Sequence, residues 1–405
     1  MATSVKVMIA LVVLSVVVLV QFVIMPWVSF GRDRDIRLVG TGRSVAYDFD
    51  SGALFHSNNS RFYYFITRDS IRYMASNSDV AVWHVPFSFV RPWMSARGDI
   101  VAVGEERGGR VIYVFNSVGL MYRVVFEDPV LTFSVNESGI LTAIVQYDWG
   151  YGVYAFNRTL NTTSNALFRW FVPTDYGLFW PTHAEVSADG RYIAIAIVDL
   201  NTHVQTIVEF RYVNIWDAWG TEDGLFAKEA FQEQLVMDMR FMSDNRLIVA
   251  ATSQIRCFQM GPGSQIRDVW NIELENVLTH IDFYNDTHLI YVTGERQLMT
   301  TEEGDPMGTV RIRTIHNNVP TAEFSLGRRA THLSVGHGSI IVGAERSFHA
   351  MDFRGNHLWE HISLFDTRSI TFLDNTDTVI IAGANRAEVF QRRRVSEEEM
   401  RELFQ

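Results

Sequence analysis

The sequence predicts an all-β protein built from one repeated unit, and three patterns lead to this fold class. A short apolar strand, a tight turn of Ser, Asn, Asp or Gly, and a strand of β-branched and small residues recur along the chain. The copies follow one another at a mean spacing of about 45 residues. The last copy supplies strands only to about Phe390, whereas residues 36–44 form a spare strand near the start of the chain.

Eight copies of the unit can be identified from their turns. Each turn contains residues that accept the left-handed backbone of a tight hairpin, such as Gly98, Gly139 and Asn245. The copies lie at 94–104, 135–146, 186–198, 241–252, 283–294, 333–345 and 372–383, with a weaker copy at 55–67.

The residue four positions after each turn of the repeated unit is small or strand-preferring, as expected for strands that pack face to face. This column comprises Tyr64, Ala102, Ala143, Ala194, Val249, Tyr291, Val342 and Ile381. Another strand pair with an outer aromatic residue separates the copies, for example at 111–126 and 348–362. Four short strands per unit, repeated around a ring, predict a single β-propeller. We expect eight four-stranded blades, with seven as the alternative if the weak first copy belongs to the closing blade.

The third pattern concerns the two ends of the repeat region, because a propeller removes its exposed edges by closing on itself. The strand at 36–44 can complete the last blade. The predicted organisation is an N-terminal tail at 1–6, a transmembrane segment at 7–28, a linker at 29–35, a propeller at 36–391 and a short helical tail at 392–405.

Residues 7–28, VMIALVVLSVVVLVQFVIMPWV, contain no charged side chain and exceed the roughly 20 residues that a hydrocarbon core requires. A cleaved signal peptide is the alternative, but its apolar core is shorter, about 7 to 15 residues, and ends at small residues that this stretch lacks. No cysteine lies directly after the segment, so lipoprotein processing is excluded. We therefore expect one uncleaved signal anchor that spans the membrane as a helix.

Two observations point in opposite directions on the side of the membrane that holds the propeller. Lys6 precedes the apolar segment, whereas Arg32, Arg34, Arg37 and Arg43 follow it. The positive-inside rule therefore favours a cytoplasmic body. By analogy, however, a very short tail before a single hydrophobic helix is the usual layout of exported anchored proteins. We predict an extracytoplasmic propeller, with a cytosol-facing propeller as the alternative.

Charge and cysteine content exclude several classes of protein. The formal net charge is −11, and a nucleic-acid binder would carry a basic stripe that the chain lacks. The nearest candidate, Arg392 to Arg394, is soon followed by three glutamates. We expect no nucleic-acid partner. Cys257 is the sole cysteine, which excludes an internal disulfide and any multi-cysteine metal site.

One motif suggests a metal centre. His357, Glu360 and His361 have the H-x-x-E-H order of inverted zinc peptidases, a motif that functions on a helix, where both histidines can reach one ion. The repeat predicts a strand here instead. On a regular strand His357, Trp359 and His361 share one face, and the two histidines lie about 13 Å apart. We therefore expect no metal site, no catalytic residues and no cofactor.

The stretch AMDFRGNHLWEH (350–361) resembles the quinoprotein-type repeat, and VSADGRYIAIAIV (186–198) resembles the strand pair of WD40-like and lactonase-type propellers. As a whole, residues 30–391 resemble uncharacterised bacterial membrane-anchored propellers built from such repeats. The quinoprotein resemblance implies a quinone and Ca²⁺ in the central funnel, often against a vicinal cysteine pair. This chain departs from that pattern, since it has one cysteine and only one well-formed Trp docking turn.

The resemblance to catalytically silent propellers implies a non-catalytic, protein-binding scaffold or receptor in the cell envelope, with a quinone- or metal-dependent oxidoreductase as the alternative. The long insertion at 210–234 offers Trp216, Trp219 and Phe226 as partner anchors, although the tryptophans can equally pack a blade edge. The predicted tail helix presents one apolar stripe that can dock on the propeller or on a partner. This stripe comprises Met400, Leu403 and Phe404.

Overall fold

The computed structural model describes residues 36–47, 53–57, 61–173, 178–201, 203–214, 224–261, 265–294 and 308–394. Every helix or strand in these ranges is a β-strand. The predicted tail, transmembrane segment and linker at 1–35 lie outside the described residues, as do Trp216, Trp219, Met400, Leu403 and Phe404. Within the described part of the chain, no helix has the length and apolar character that a membrane crossing requires.

The chain begins with a strand that pairs far away, followed by a compact antiparallel sheet. The first strand is β1 (Ile36–Ala46). The sheet contains β2 (Leu54–Ser57), β3 (Phe62–Ile66), β4 (Ser70–Ala75) and β5 (Ala81–Pro86) in that order.

The next sheet joins two four-stranded units through one long strand. The first unit comprises β6 (Pro92–Arg97), β7 (Ile100–Glu105), β8 (Gly109–Asn116) and β9 (Gly119–Val135). The second adds β10 (Leu141–Tyr147), β11 (Gly150–Phe156) and β14 (Phe168–Pro173), and a small hairpin of β12 (Asn161–Thr162) and β13 (Asn165–Ala166) precedes β14. The N-terminal half of β9 pairs with β8, whereas its end pairs with β10. Strand β9 therefore closes one unit and opens the next.

Three separate four-stranded antiparallel sheets follow. The first contains β15 (Phe179–Val186), β16 (Tyr192–Asp199), β17 (Gln205–Tyr212) and β18 (Leu225–Gln232). The second contains β19 (Val236–Phe241), β20 (Arg246–Ala251), β21 (Gln254–Gly261) and β22 (Gln265–Glu273). The third contains β23 (Val277–Tyr284), β24 (His288–Gly294), β25 (Thr309–Thr314) and β26 (Pro320–Ser325).

The last sheet contains both ends of the described chain. Its strands are β27 (His332–Gly336), β28 (Ser339–Ala344), β29 (Ser347–Asp352), β30 (His357–Ile362), β31 (Ser369–Asn375), β32 (Thr378–Ala382) and β33 (Arg386–Arg394). Strand β1 pairs antiparallel with β33, from Ile36 opposite Arg394 to Ala46 opposite Arg386. The prediction that the first strand completes the last unit is confirmed. Strand β33 continues three residues beyond the predicted propeller end at 391, because β1 pairs with its last residues, from Gly40 opposite Phe390 to Ile36 opposite Arg394.

The first strands of successive units form the inner wall of a ring. Strand β2 contacts β6 on one side and β31 on the other, and β27 contacts β23 and β31. The second strands lie between neighbouring sheets and are buried on both faces, as in β20 and β28. All eight residues of the predicted packing column are at most 1% exposed, which confirms face-to-face packing of the units. The arrangement is the β-propeller that the repeat predicts.

Strand direction defines two faces of this ring. Successive strands of a unit run in opposite directions. The loop that leads into the first strand of a unit therefore lies at the same end of the ring as the turn between the second and third strands of that unit. We term this end the upper face. The other turns lie at the lower face. Ile36 and Arg394 are paired at the lower face, so both described ends of the chain leave the ring there.

Candidate functional site: a charged channel below an apolar rim

The inner strands enclose a central channel, and two of the cavities along it contain charged side chains in their walls. The cavity nearer the upper face has a volume of about 320 Å³ and is lined by Trp93, Glu185 and Met237, among others. The second cavity has a volume of about 620 Å³, and its lining includes Arg240 and Asp282. Arg97 lines both cavities, so the two lie next to each other along the channel. Their sizes are typical of small-molecule sites.

Four channel residues occupy equivalent positions in consecutive units. Ser134, Glu185, Arg240 and Asp282 each lie five residues before the turn position of their copy, near the end of β9, β15, β19 and β23. Equivalent positions on the first strands lie at the same depth in the channel. Apolar periodicity in the sequence does not reveal these side chains. They can be found in the sequence as polar residues at the same position, five residues before the turn, in consecutive inner strands.

Glu185 and Arg97 form an ion pair across the channel. The Arg97 Nη2 to Glu185 Oε1 distance is 3.7 Å, and the Glu185 side chain is buried. Burial raises the pKa of Glu185 from 4.5 to about 7, because a carboxylate loses hydration there, and nearby Arg97 opposes this rise. Asp238 adds to the rise in the Glu185 pKa by like-charge repulsion. The channel therefore contains a carboxyl group that titrates close to neutral pH.

Arg240 is the most unusual side chain in the channel. It is only 7% exposed, and its guanidinium carbon lies 5.0 Å from the centroid of the Phe283 ring. Across the described ranges, no group forms a hydrogen bond or ion pair with this guanidinium. Burial lowers the pKa of Arg240 to about 10, and the positive charge of Arg97 acts in the same direction. A buried cation without a hydrogen bond or ion pair lowers the stability of the fold unless another charged group neutralises it.

The aspartates near Arg240 are engaged by their own backbone. Asp282 Oδ1 accepts a hydrogen bond from the Phe283 amide at 2.7 Å, and Asp238 Oδ1 accepts one from the Met239 amide at 2.8 Å. Burial raises the pKa of Asp282, with opposing contributions from the Phe283 amide and Arg240. These carboxylates influence Arg240 at a distance without pairing with it.

Exposed apolar side chains lie on the upper face of the units between β6 and β19, and two of them line the channel. Trp93 and Met237, which line the upper cavity, are 47% and 45% exposed. Trp149 is 50% exposed and stacks on Tyr147, with ring centroids 4.9 Å apart and planes 7° apart. We use the term apolar rim for a set of exposed apolar side chains at the upper face between residues 90 and 237. It comprises Val90, Trp93, Trp149, Phe171, Leu178, Val204, Leu235 and Met237.

The one predicted partner residue that the structure describes is Phe226, on β18. Its ring packs against Tyr192, Phe210 and Tyr212, with the Tyr212 centroid 4.8 Å away. Phe226 is partly buried against the core between the β15–β18 and β19–β22 sheets. These contacts give it a packing role in the propeller.

The H-x-x-E-H stretch forms strand β30, as predicted. Its side chains, however, do not alternate as expected, because the pairing with β29 shifts between Ala350 opposite Trp359 and Met351 opposite His357. This bulge at Leu358 places His357 and Trp359 on opposite faces, which corrects the expectation that they share one. His361 contacts the Phe390 ring at 4.9 Å between centroids. Among the described residues, no cluster of three or more His, Cys, Asp or Glu side chains is arranged to hold a metal ion.

The ring of four-stranded sheets around a channel defines the chain as a β-propeller. It belongs to a family of unknown function, DUF5711, whose model matches residues 59–391. Among solved structures, the chain is similar to the C-terminal WD40 domain of Sif2, at 10% identity and a TM-score of 0.58, covering 88% of this chain and 98% of that one. BamB from Moraxella catarrhalis is 13% identical with a TM-score of 0.48, covering 87% of this chain and 99% of that one. At such identity, the Sif2 match supports the fold alone. No curated protein matches the chain.

Proposed function

We propose that this protein is a membrane-anchored, extracytoplasmic β-propeller that binds a protein partner on its upper face and catalyses no reaction. In this proposal the ring has eight blades, with β9 assigned to both units that it joins and β1 to the last unit. A propeller fold is consistent with a protein-binding role, since a rigid ring presents its loops at fixed positions.

The observation that carries this proposal is the apolar rim on the upper face. Trp93, Trp149 and Met237 expose about half of their surface, although burying such side chains is favourable. Tryptophans at interfaces frequently supply a large share of the binding free energy. Exposed apolar groups gathered at one end of a folded ring are typical of an interaction surface.

The charges beside the rim specify the chemistry of the partner. Four exposed acidic side chains lie at the upper face near the apolar rim: Glu106, Asp148 and Glu233 on loops or turns, and Glu127 where β9 passes from one unit to the next. The exposed arginines near these positions are Arg91, Arg107 and Arg110. A complementary partner therefore presents apolar side chains together with basic ones, because matched potentials favour association and its specificity.

The proposed anchor agrees with this use of the upper face. The segment at 7–28 precedes Ile36, which lies at the lower face. A membrane reached from that end leaves the apolar rim on the side of the ring away from the bilayer. A partner can then approach the rim without competing with lipid.

Site-specific photo-crosslinking in cells tests the partner surface. A photoreactive amino acid is placed at Trp93 or Met237 on the upper face, and at the exposed residues Val118 or Val319 on the lower face as matched controls. We expect a protein crosslink from the upper positions only. Equal crosslinking from both faces, or none from the upper face, would refute the proposed surface.

Charge-neutralising variants test the chemistry of the partner in the same assay. Glu106→Gln combined with Asp148→Asn should lower the crosslinking yield from Met237. Glu137→Gln, at an exposed lower-face turn, should leave the yield unchanged. A yield that is insensitive to both substitutions would exclude a basic partner while leaving the apolar contact intact.

Topology is tested by labelling with a membrane-impermeant maleimide. Leu364→Cys introduces a thiol at a position that is 93% exposed, whereas Cys257 is fully buried and burial raises the pKa of its thiol to about 12. The native chain therefore serves as an unreactive control. Labelling of intact spheroplasts supports export. Labelling only after lysis would instead indicate a cytosol-facing propeller.

A further inference from the structure

We propose that the larger channel cavity binds a small oxyanion, a phosphate or a carboxylate, between Arg240 and Arg97. This inference concerns the interior of the ring and does not depend on the proposed partner surface. Protein binding on the upper face does not require a ligand in the channel.

The charge of Arg240 is not neutralised by an ion pair or hydrogen bond within the described part of the protein. Its side chain is more than nine-tenths buried and lines the cavity, yet no described residue forms an ion pair or hydrogen bond with its guanidinium. An arginine has five donors in a planar fork that matches the oxygens of a carboxylate or phosphate. A bound oxyanion would supply the acceptors that the protein itself does not.

Arg97 lines the same cavity. The two arginines are close enough for the charge of Arg97 to disfavour the cationic form of Arg240. Two like charges that face one cavity are stabilised by an anion between them. The contact between Arg97 and Glu185 is long, at 3.7 Å, so the Arg97 guanidinium retains donors for a ligand.

The remaining cavity wall suits a small polar molecule. His56, Ser334, His337 and Thr371 line it, and the Ser334 hydroxyl donates to Thr371 Oγ1 at 3.3 Å. The volume of about 620 Å³ exceeds that of an inorganic ion, so the oxyanion can be one group of a larger molecule. Asp282, on the same wall, disfavours anions and thereby limits affinity.

The test is direct binding to the full chain purified in detergent, measured by calorimetry and by thermal unfolding. The probes are inorganic phosphate and malonate, with sodium chloride at equal ionic strength as the control. We expect phosphate, malonate or both to bind and to raise the melting temperature beyond the effect of chloride. A preference for phosphate indicates a phosphorylated ligand, and a preference for malonate indicates a carboxylate ligand.

Four variants assign the binding to the channel. Arg240→Gln should weaken binding by about tenfold or more, since charge-assisted hydrogen bonds are lost, and Arg97→Gln should weaken it in the same direction. Asp282→Asn should tighten binding severalfold because it removes a repelling carboxylate. Arg107→Gln removes an exposed positive charge outside the channel and should change nothing. Absence of binding by both probes, or equal affinity of Arg240→Gln and the native chain, would overturn the proposal.

Discussion

Replacing Glu185 by glutamine should make the protein more stable at alkaline pH than the native chain. Burial raises the pKa of this carboxyl from 4.5 in the unfolded chain to about 7 in the folded state. Between these values the folded protein retains a proton that the unfolded chain has lost. The free energy of unfolding contributed by Glu185 therefore falls as the pH rises through this window.

The magnitude follows from the two pKa values. Integrating the linkage relation from about pH 5 to about pH 8 gives a loss of about 2.5 kcal/mol from this one group. No large correction for solvent screening applies, because Glu185 is buried. Glutamine keeps the shape of the protonated side chain but cannot ionise. The difference in unfolding free energy between variant and native protein should thus increase by about 2.5 kcal/mol over this range.

Chemical denaturation of both proteins at four pH values between 5 and 8 measures this difference. Other titrating groups cancel in the comparison, because they are common to both chains. Glu345→Gln provides the control, since Glu345 is exposed and pairs with the exposed Arg328. Its difference from the native protein should stay constant with pH. An equally flat profile for Glu185→Gln would show that the carboxyl is not held protonated, and the reasoning would fail.

Three further predictions concern stability. Arg240→Gln should not lower the melting temperature of the ligand-free protein, because the guanidinium loses hydration and gains a contact with the Phe283 ring but no hydrogen bond or ion pair; a large decrease would reveal such a bond. Gly343→Ala should cost about 1 to 3 kcal/mol by denaturation, since its Cβ would lie 2.5 Å from the buried Phe348 ring, whereas Gly261→Ala, with 3.5 Å to its nearest neighbour, should be mild. Deleting residues 1–46 should cause unfolding or aggregation because β33 keeps β32 but loses β1, which exposes one of its edges, whereas deleting 1–35 should preserve the melting temperature.

The sequence predicts the strands best where turn chemistry and packing agree. Gly98, Gly139 and Asn245 have positive φ angles at the predicted turns, and the small or strand-preferring column after each turn is buried. Both patterns follow from local backbone sterics and from the need to cover each sheet with the next. Ring closure could also be predicted, because a spare strand at one end and a missing strand at the other complement each other.

Local irregularities could not be predicted from the same patterns. Strand β9 runs through Pro129 from one unit into the next, although proline usually marks a break. The bulge at Leu358 reverses the side-chain alternation that the sequence suggests for His357. In each case neighbouring strands determine the pairing, and a periodicity of two residues contains no information about an inserted one.

The channel residues show why a repeat fold conceals its chemistry. At the position five residues before each turn, Ser134, Glu185, Arg240 and Asp282 differ in size and charge, yet their strands follow the same course. The residues four positions after each turn are constrained by both neighbouring sheets and stay apolar or aromatic. A side chain on the inner strand faces the channel instead, where no neighbouring sheet packs on it, so the fold tolerates residues of different size and charge. Polar residues at this inner-strand position can therefore change between related proteins, and with them the ligand, without altering the core. Arg240, which is buried without a hydrogen bond or ion pair, is the clearest example.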